Sequence, residues 1–265
     1  MKNHVPFARS LFAVALLAAM VLAGCSNGPP EHGTRLTVAP TNSATAADQQ
    51  QALARAAETL RQRFRKLDIR RVVVEHSAEG RLVVTLPELP PERLASCRRA
   101  IENVGLLELR MVHPDSDALI AANIPEPGYE VMKLEQMVKK NGREEKSTSR
   151  LLVNKKPELT DEHITRVGVT RDRLSNKPKI SFELDKEGAR KLEQVTTEWQ
   201  PKGGREYRLA IVLDGKLRSA PAIKGVVSRS AEIMGDFTVK EAFELVAALE
   251  TPLDVPLCIV DEKRF

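Results

Sequence analysis

The chain has 265 residues, of which 42% are hydrophobic, 29% charged and 4% aromatic, and its formal net charge is +5. So mild a positive balance, with so few aromatic side chains, argues against a nucleic-acid binder, which would need a dense basic stripe and stacking faces. The three cysteines lack metal-ligand spacing, so the composition points to no zinc module.

In chain order, the first feature is a leader. Lys2 and Arg9 form a positive region ahead of the apolar run from Leu11 to Leu22, which is short for a membrane span. Leu22, Ala23, Gly24 and Cys25 then resemble the lipobox of bacterial lipoproteins; an ordinary secretory signal with an incidental cysteine is the other reading. The resemblance implies a signal peptide over residues 1–24, cleavage before Cys25, and acylation of its thiol and new amino terminus. Each buried methylene of such an anchor adds about 0.8 kcal/mol, so the mature protein would sit on a membrane without crossing it. Ser26 leaves inner and outer membrane equally open. Loss of the leader removes Lys2 and Arg9 and no acids, which lowers the charge from +5 to +3. The body that remains, about 240 residues, suits one large domain or two small ones. Its cysteines, Cys97 and Cys258, are compatible with a disulfide or with two free thiols.

Residues 25–45 read as a polar tether containing a possible first strand, Arg35 to Ala39. From Ala46 to Leu67, residues Leu53, Ala56, Leu60, Phe64 and Leu67 recur at helical spacing, and Arg55, Arg61, Arg63, Arg65 and Lys66 are expected on a solvated face, contact with anionic lipid or peptide being the other reading. Arg71 to His76 and Arg81 to Leu86 read as β-branched strands joined by a turn at Glu79 and Gly80. Pro90 and Pro91 open a second helix with Leu94, Cys97 and Ile101 on one face, and Leu106 to Val112 alternates as a fourth strand. Strand, helix, strand, strand, helix, strand is the ferredoxin-like βαββαβ pattern, which assigns residues 46–113 to a base.

Periodicity breaks from Pro114 to Ser149, so a boundary is expected at Pro114 and an exposed loop near Asn141 and Gly142. Strand candidates follow at Arg150 to Val153, Val167 to Val169 and Lys179 to Leu184. Asp185 then suits an N-cap, ahead of a helix with Ala189, Leu192, Val195 and Trp199 on its apolar face. Leu209 to Leu213 is a wholly apolar strand, and Asp214-Gly215 marks a tight hairpin turn with positive φ at the glycine. The return strand runs from Lys216 to Ile223, and Pro221 places it at an edge. A short strand, Ala231 to Met234, stops at Gly235. Thr238 and Glu241 fit a capping box for a helix carrying Ala242, Leu245, Val246 and Leu249, which Pro252 ends. Val255 to Val260 is a last strand.

The order Leu-Ala-Ile-Val-Leu-Asp214-Gly215, Ser219-Ala220-Pro221, a strand, Gly235-Asp-Phe237-Thr238, then a helix with Glu241 and Ala242 resembles the first periplasmic domain of SecD, a membrane component of bacterial protein export. The Val-rich hairpin ending in Leu86-Pro87 and the Leu107-Glu-Leu-Arg110 strand are similar too. The resemblance implies an α+β fold in which residues 114–251 form a head inserted into the ferredoxin-like base and residues 252–265 return to it. Pro114 and Pro252 become hinge candidates at the two crossings. SecD also has membrane helices that support proton-driven work. Here a lipobox stands in place of the first, and the chain ends at Phe265, so no motor is expected.

No catalytic motif stands out, and His76, His113 and His163 are isolated, so neither an enzyme nor a cofactor is expected. The expected function is that of a lipid-anchored binding protein on the periplasmic side of the cell envelope. It would serve protein translocation by contacting exported unfolded polypeptide or Sec translocon components. Strand addition at an edge such as that near Pro221 would provide one mode of contact. The alternative is an envelope scaffold or assembly subunit built on the same fold.

Overall fold

A computed structural model describes residues 28–41, 46–140 and 143–265. Its architecture is α+β, in two linked modules.

The base is built on four antiparallel strands: β1 (Gly33–Pro40), β2 (Val73–His76), β3 (Leu82–Pro87) and β13 (Leu257–Arg264), in the order β13-β1-β3-β2. Helices α1 (Ala46–Lys66) and α2 (Pro91–Glu102) cover one face. Period-two alternation sends Leu36, Val38, Leu82, Val84 and Leu86 inward against Leu53, Ala56, Leu60 and Phe64 of α1 and Leu94, Cys97 and Ile101 of α2. This topology is consistent with the ferredoxin-like pattern, with one correction. The strand from Leu106 to Val112 does not complete the sheet. That place beside β1 is taken by β13, whose pairing runs from Leu257 opposite Pro40 to Arg264 opposite Thr34. At its far end Gly33 and Phe265 exchange backbone hydrogen bonds of 3.1 Å.

The displaced strand, β4 (Leu107–Met111), lies in the head. It pairs with β10 (Leu209–Leu213) and with the two-residue β7 (Leu159–Thr160), while β11 (Lys216–Ser219) closes the other edge. Every residue of β10 is buried because two cores flank it. Leu209, Ile211 and Leu213 face one core; Ala210 and Val212 face the other. Burial on both faces explains the uninterrupted apolar run. The first core also takes in β8 (Ile164–Arg171), β9 (Pro178–Leu184) and β12 (Ser230–Ile233), a sheet ordered β12-β9-β8, together with α4 (Lys186–Glu198) and α5 (Val239–Glu250). Asp185 caps α4 as expected, accepting from the Gly188 amide at 2.7 Å. Trp199 packs edge-on to Tyr207 with ring centroids 5.1 Å apart, inside this core.

The stretch from Pro114 to Ser149 departs most from expectation. After a short α3 (Ser116–Ala121), β5 (Tyr129–Lys140) and β6 (Arg143–Asn154) pair along their whole length as a hairpin. Its tip, Asn141 and Gly142, lies outside the described residues. Leu134, Leu151 and Val153, with half-buried Met132, seal the hairpin against Ala210, Val212 and Leu217. The expected lipobox, Leu22 to Cys25, also lies outside the described residues. Cys97 and Cys258 are free thiols, the first buried and the second half-buried.

Candidate functional site

Helix α5 positions the site. The Thr238 hydroxyl accepts from the Glu241 amide at 3.2 Å while the Glu241 carboxylate accepts from the Thr238 amide at 2.9 Å, which is the anticipated capping box. Just before it, a Cβ on Gly235 would meet the Phe237 ring at 2.5 Å, so the ring closes over a bare backbone. Thus fixed, α5 turns Ala242, Leu245, Val246 and Leu249 into the head core and Glu244 toward the base.

Chain crosses between modules at residues 103–106 and 251–256, and both crossings converge on Arg63 of α1. Expected on a solvated face, Arg63 is instead 1% exposed. Its guanidinium donates to the carbonyls of Ala100 and Val104 at 2.8 Å, Thr251 at 2.9 Å, Ala248 at 3.3 Å, and also Asn103. These carbonyls include those left unpaired where α2 and α5 end, where a cation also suits the helix dipoles. Burial pushes the Arg63 pKa down to about 10, and the charge of Asp214 acts against that shift.

From the head side, Asp214 does more than form its hairpin turn. With φ of 50° and 70°, Asp214 and Gly215 make the left-handed pair that a two-residue hairpin requires. The Asp214 carboxylate then accepts from the amides of Gly105 and Leu106 at 2.8 and 2.9 Å. Between these clamps Gly105 has φ of 90°, and a Cβ there would lie 2.2 Å from the Ala248 carbonyl. The Leu253 amide donates to the Val104 carbonyl at 2.8 Å and ties one crossing to the other. Arg99 adds a two-pronged ion pair to Glu244, at 2.5 and 3.0 Å, which raises the Arg99 pKa. Pro252 stands in the second crossing, but Pro114 does not stand in the first, because β4 already belongs to the head sheet.

Beside this knot opens a cleft of about 790 Å³ between the modules. Leu67, Ile69, Arg93 and Ser96 line its base side; Val167, Gly168, Val169, Phe243 and Val246 line its head side. Phe243 is 57% exposed. Among the described residues β8 is an edge strand that pairs with β9 alone, so its other side offers backbone donors and acceptors to an extended chain. Gly168 has no neighbour within 4 Å where a Cβ would be, leaving room for close backbone approach. The lining is electrically balanced, with Lys66, Arg93 and Lys240 set against Asp68, Glu244 and Glu250; Lys66 pairs with Glu250, Arg93 donates to the Leu67 and Asp68 carbonyls, and Lys240 donates to the Glu92 carbonyl.

The remaining residues singled out in the sequence fall into place around these features. Ala242 is fully buried in the head core and Ala220 packs on the second core. Pro221, exposed just past β11, accepts at its carbonyl from the Leu209 amide at 3.0 Å. Ser219 keeps a buried hydroxyl without a hydrogen-bond partner. His163 bridges Asp185 and Lys191, and His113 packs edge-on to Tyr129. Cys97, whose pKa burial pushes up to about 12, is a packed thiol. Among the described residues no group of three or more His, Cys, Asp or Glu could hold a metal ion. Sequence reasoning missed Arg63 and the open edge of β8. A signal for the first exists: positions 53, 56, 60, 63 and 67 step by three and four along the apolar stripe of α1.

The fold is thus one of two α+β modules that share a pinned junction beside an open cleft. Residues 135–253 match the family model of the SecDF P1 head subdomain. Among curated proteins, the chain is 32% identical over 80% of its length to protein translocase subunit SecD of Magnetococcus marinus, and 31% identical over 88% to that of Aquifex aeolicus. It spans 39% and 43% of those relatives. A crystal structure of SecDF in its super-membrane-facing form aligns over 90% of this chain and 31% of its own, with a TM-score of 0.64 and 23% identity. A second structure, from work on SecDF as a membrane component that enhances protein export, aligns over 86% of this chain and 98% of its own, with a TM-score of 0.60 and 24% identity. The chain is thus similar to SecD over most of its length, and residues 135–253 carry the likeness to the SecDF P1 head subdomain. Among the described residues no helix is long and apolar enough to cross a membrane.

Proposed function

We propose that this protein is a lipid-anchored, extracytoplasmic binding protein of the export pathway that engages exported polypeptide, or a translocon component presenting an extended segment, in the cleft between base and head. The observation that carries this reading is the open edge of β8 beside the exposed ring of Phe243. An extended chain laid there would gain main-chain hydrogen bonds irrespective of its sequence, while Phe243 and Val246 would accept an apolar side chain. The curated relatives are translocase subunits, which supports the same neighbourhood. Cys25 is the proposed acylation site. β1 begins a short tether after it, so the Gly33–Phe265 end of the base sheet would lie nearest the bilayer.

The test is site-specific photo-crosslinking of the full chain in its native envelope, with probes at Val169 and Phe243 and a control at exposed Leu174. Newly exported chains or translocon subunits trapped from the cleft positions and not from the control are the expected result. Capture of one abundant envelope protein, or of the protein itself, would replace this reading with that of a scaffold.

A further inference from the structure

A second cavity, of about 380 Å³, lies on the head away from the cleft. Its walls include Lys133 and Gln136 of β5, Lys216, Leu217 and Arg218 of β11, and Phe237 from the approach to α5. Arg218 is half-buried, and its Nε is sealed from solvent without a hydrogen-bond partner. Among the described residues neither Arg218 nor Lys216 makes an ion pair or a side-chain hydrogen bond. Glu135 and Asp236 also line this cavity, and the acids in and around it already have partners. Glu241 closes the capping box, Glu135 pairs with Lys146 at 2.8 Å, and Asp236 pairs with Lys177 at 3.4 Å. Asp214 gives one oxygen to the amides of Gly105 and Leu106, and its other oxygen is sealed without a partner. Asp214 and Glu241 act on Arg218 only through space, against a burial that lowers its pKa. A guanidinium whose Nε is sealed from water with no acceptor carries a desolvation cost that an anion in the cavity would offset.

We propose that Arg218 is the anion-reading group of a carboxylate-binding subsite on the head. The planar guanidinium fork suits a carboxylate, and Lys216 adds a second positive charge at the same wall. Leu217 and Phe237 favour an acid borne on carbon over a bare inorganic anion. The volume lies at the small end of the roughly 300–1,000 Å³ of organic-ligand sites, which suits one or two residues of a peptide. The carboxylate is either an acidic side chain or the C-terminus of a chain. This inference rests on the reading of the protein as a polypeptide binder, at a site the cleft does not include.

The test uses the full chain and fluorescent hexapeptides of otherwise equal sequence: a neutral amide, an amide with a central Glu, and a free acid without Glu. At least tenfold tighter binding of one acidic peptide over the neutral amide is expected, weakening with salt. The preference should be lost in Arg218→Leu and reduced in Lys216→Gln, with Arg218→Lys as the variant that keeps the charge. Whichever acidic peptide is preferred identifies the source of the carboxylate. Equal binding of all three peptides, an unchanged preference in a folded Arg218→Leu, or tighter binding of inorganic phosphate would each overturn the assignment. Phe243→Ala, which disables the cleft, should leave the preference intact, so that failure of this subsite and failure of the cleft reading are told apart.

Discussion

Arg63 is buried and Arg218 half-buried with its Nε sealed from water, and their surroundings could hardly differ more. Arg63 meets five backbone carbonyls drawn from the ends of α2 and α5 and the two crossings. Arg218 meets no acceptor at its buried nitrogen and lines a cavity. One arginine is part of the scaffold; the other is held ready for something the scaffold does not supply. The contrast teaches that burial of a charge has no meaning by itself, and that the tally of its partners separates structure from recognition.

The largest expected effect comes from Arg63→Met. Leaving several buried carbonyls without a donor should cost roughly 3–5 kcal/mol in denaturant unfolding, and Arg63→Lys should restore only part of it. A loss below 1 kcal/mol would show that water replaces the guanidinium, and the scaffold half of the contrast would fall. Next is Glu244→Ala. Glu244 is 5% exposed and takes both prongs of Arg99, so roughly 2 kcal/mol should be lost, and Arg99→Ala in the same chain should add little further. Full additivity of the two changes would mean that the pair does not act as a unit.

Thr238→Ala should cost about 1 kcal/mol by opening the capping box. The same box gives a pH dependence. The Thr238 amide and hydroxyl hold the Glu241 carboxyl below its ordinary value of 4.5, so its contribution is complete above pH 4.5 and is lost as the pH falls through the lowered value. Acid titration of wild type against Glu241→Gln would reveal it as a difference confined to that window. A difference persisting at lower pH would assign the effect to packing. The smallest effect belongs to Arg218→Leu, which should change stability by less than about 1 kcal/mol in either direction, since it removes a charge that gains little from the fold. A loss comparable to that of Arg63→Met would make Arg218 structural and erase the distinction.

How legible was all this in the sequence? Local chemistry was nearly transparent. The Asp214-Gly215 turn, the Asp185 cap and the Thr238/Glu241 box each depend on residues within a few positions of one another, and each forms as its residue types require. Sheet membership was opaque for Leu107–Met111, because alternation states that a strand has a buried face and not which sheet will bury it. The β5–β6 hairpin escaped notice for a related reason: its cohesion comes from a backbone ladder that leaves little trace in side-chain types, and few of its residues touch a core. Of the candidate cleft, Phe243 sat one position off the apolar stripe of α5, and the open edge of β8 is a property of topology alone.

The seating of β13 beside β1 carries a consequence for how the molecule comes into being. The base sheet needs β13, which follows the head in sequence, to flank one of its inner strands, whereas the residues of the head core lie between Leu107 and Leu249. A chain emerging from its amino terminus can therefore complete the head while the base still lacks an edge. Closing the base joins residues more than two hundred positions apart, the kind of long-range pairing that slows folding. On this plan the inserted module can be complete before β13 arrives to close the base sheet beside it.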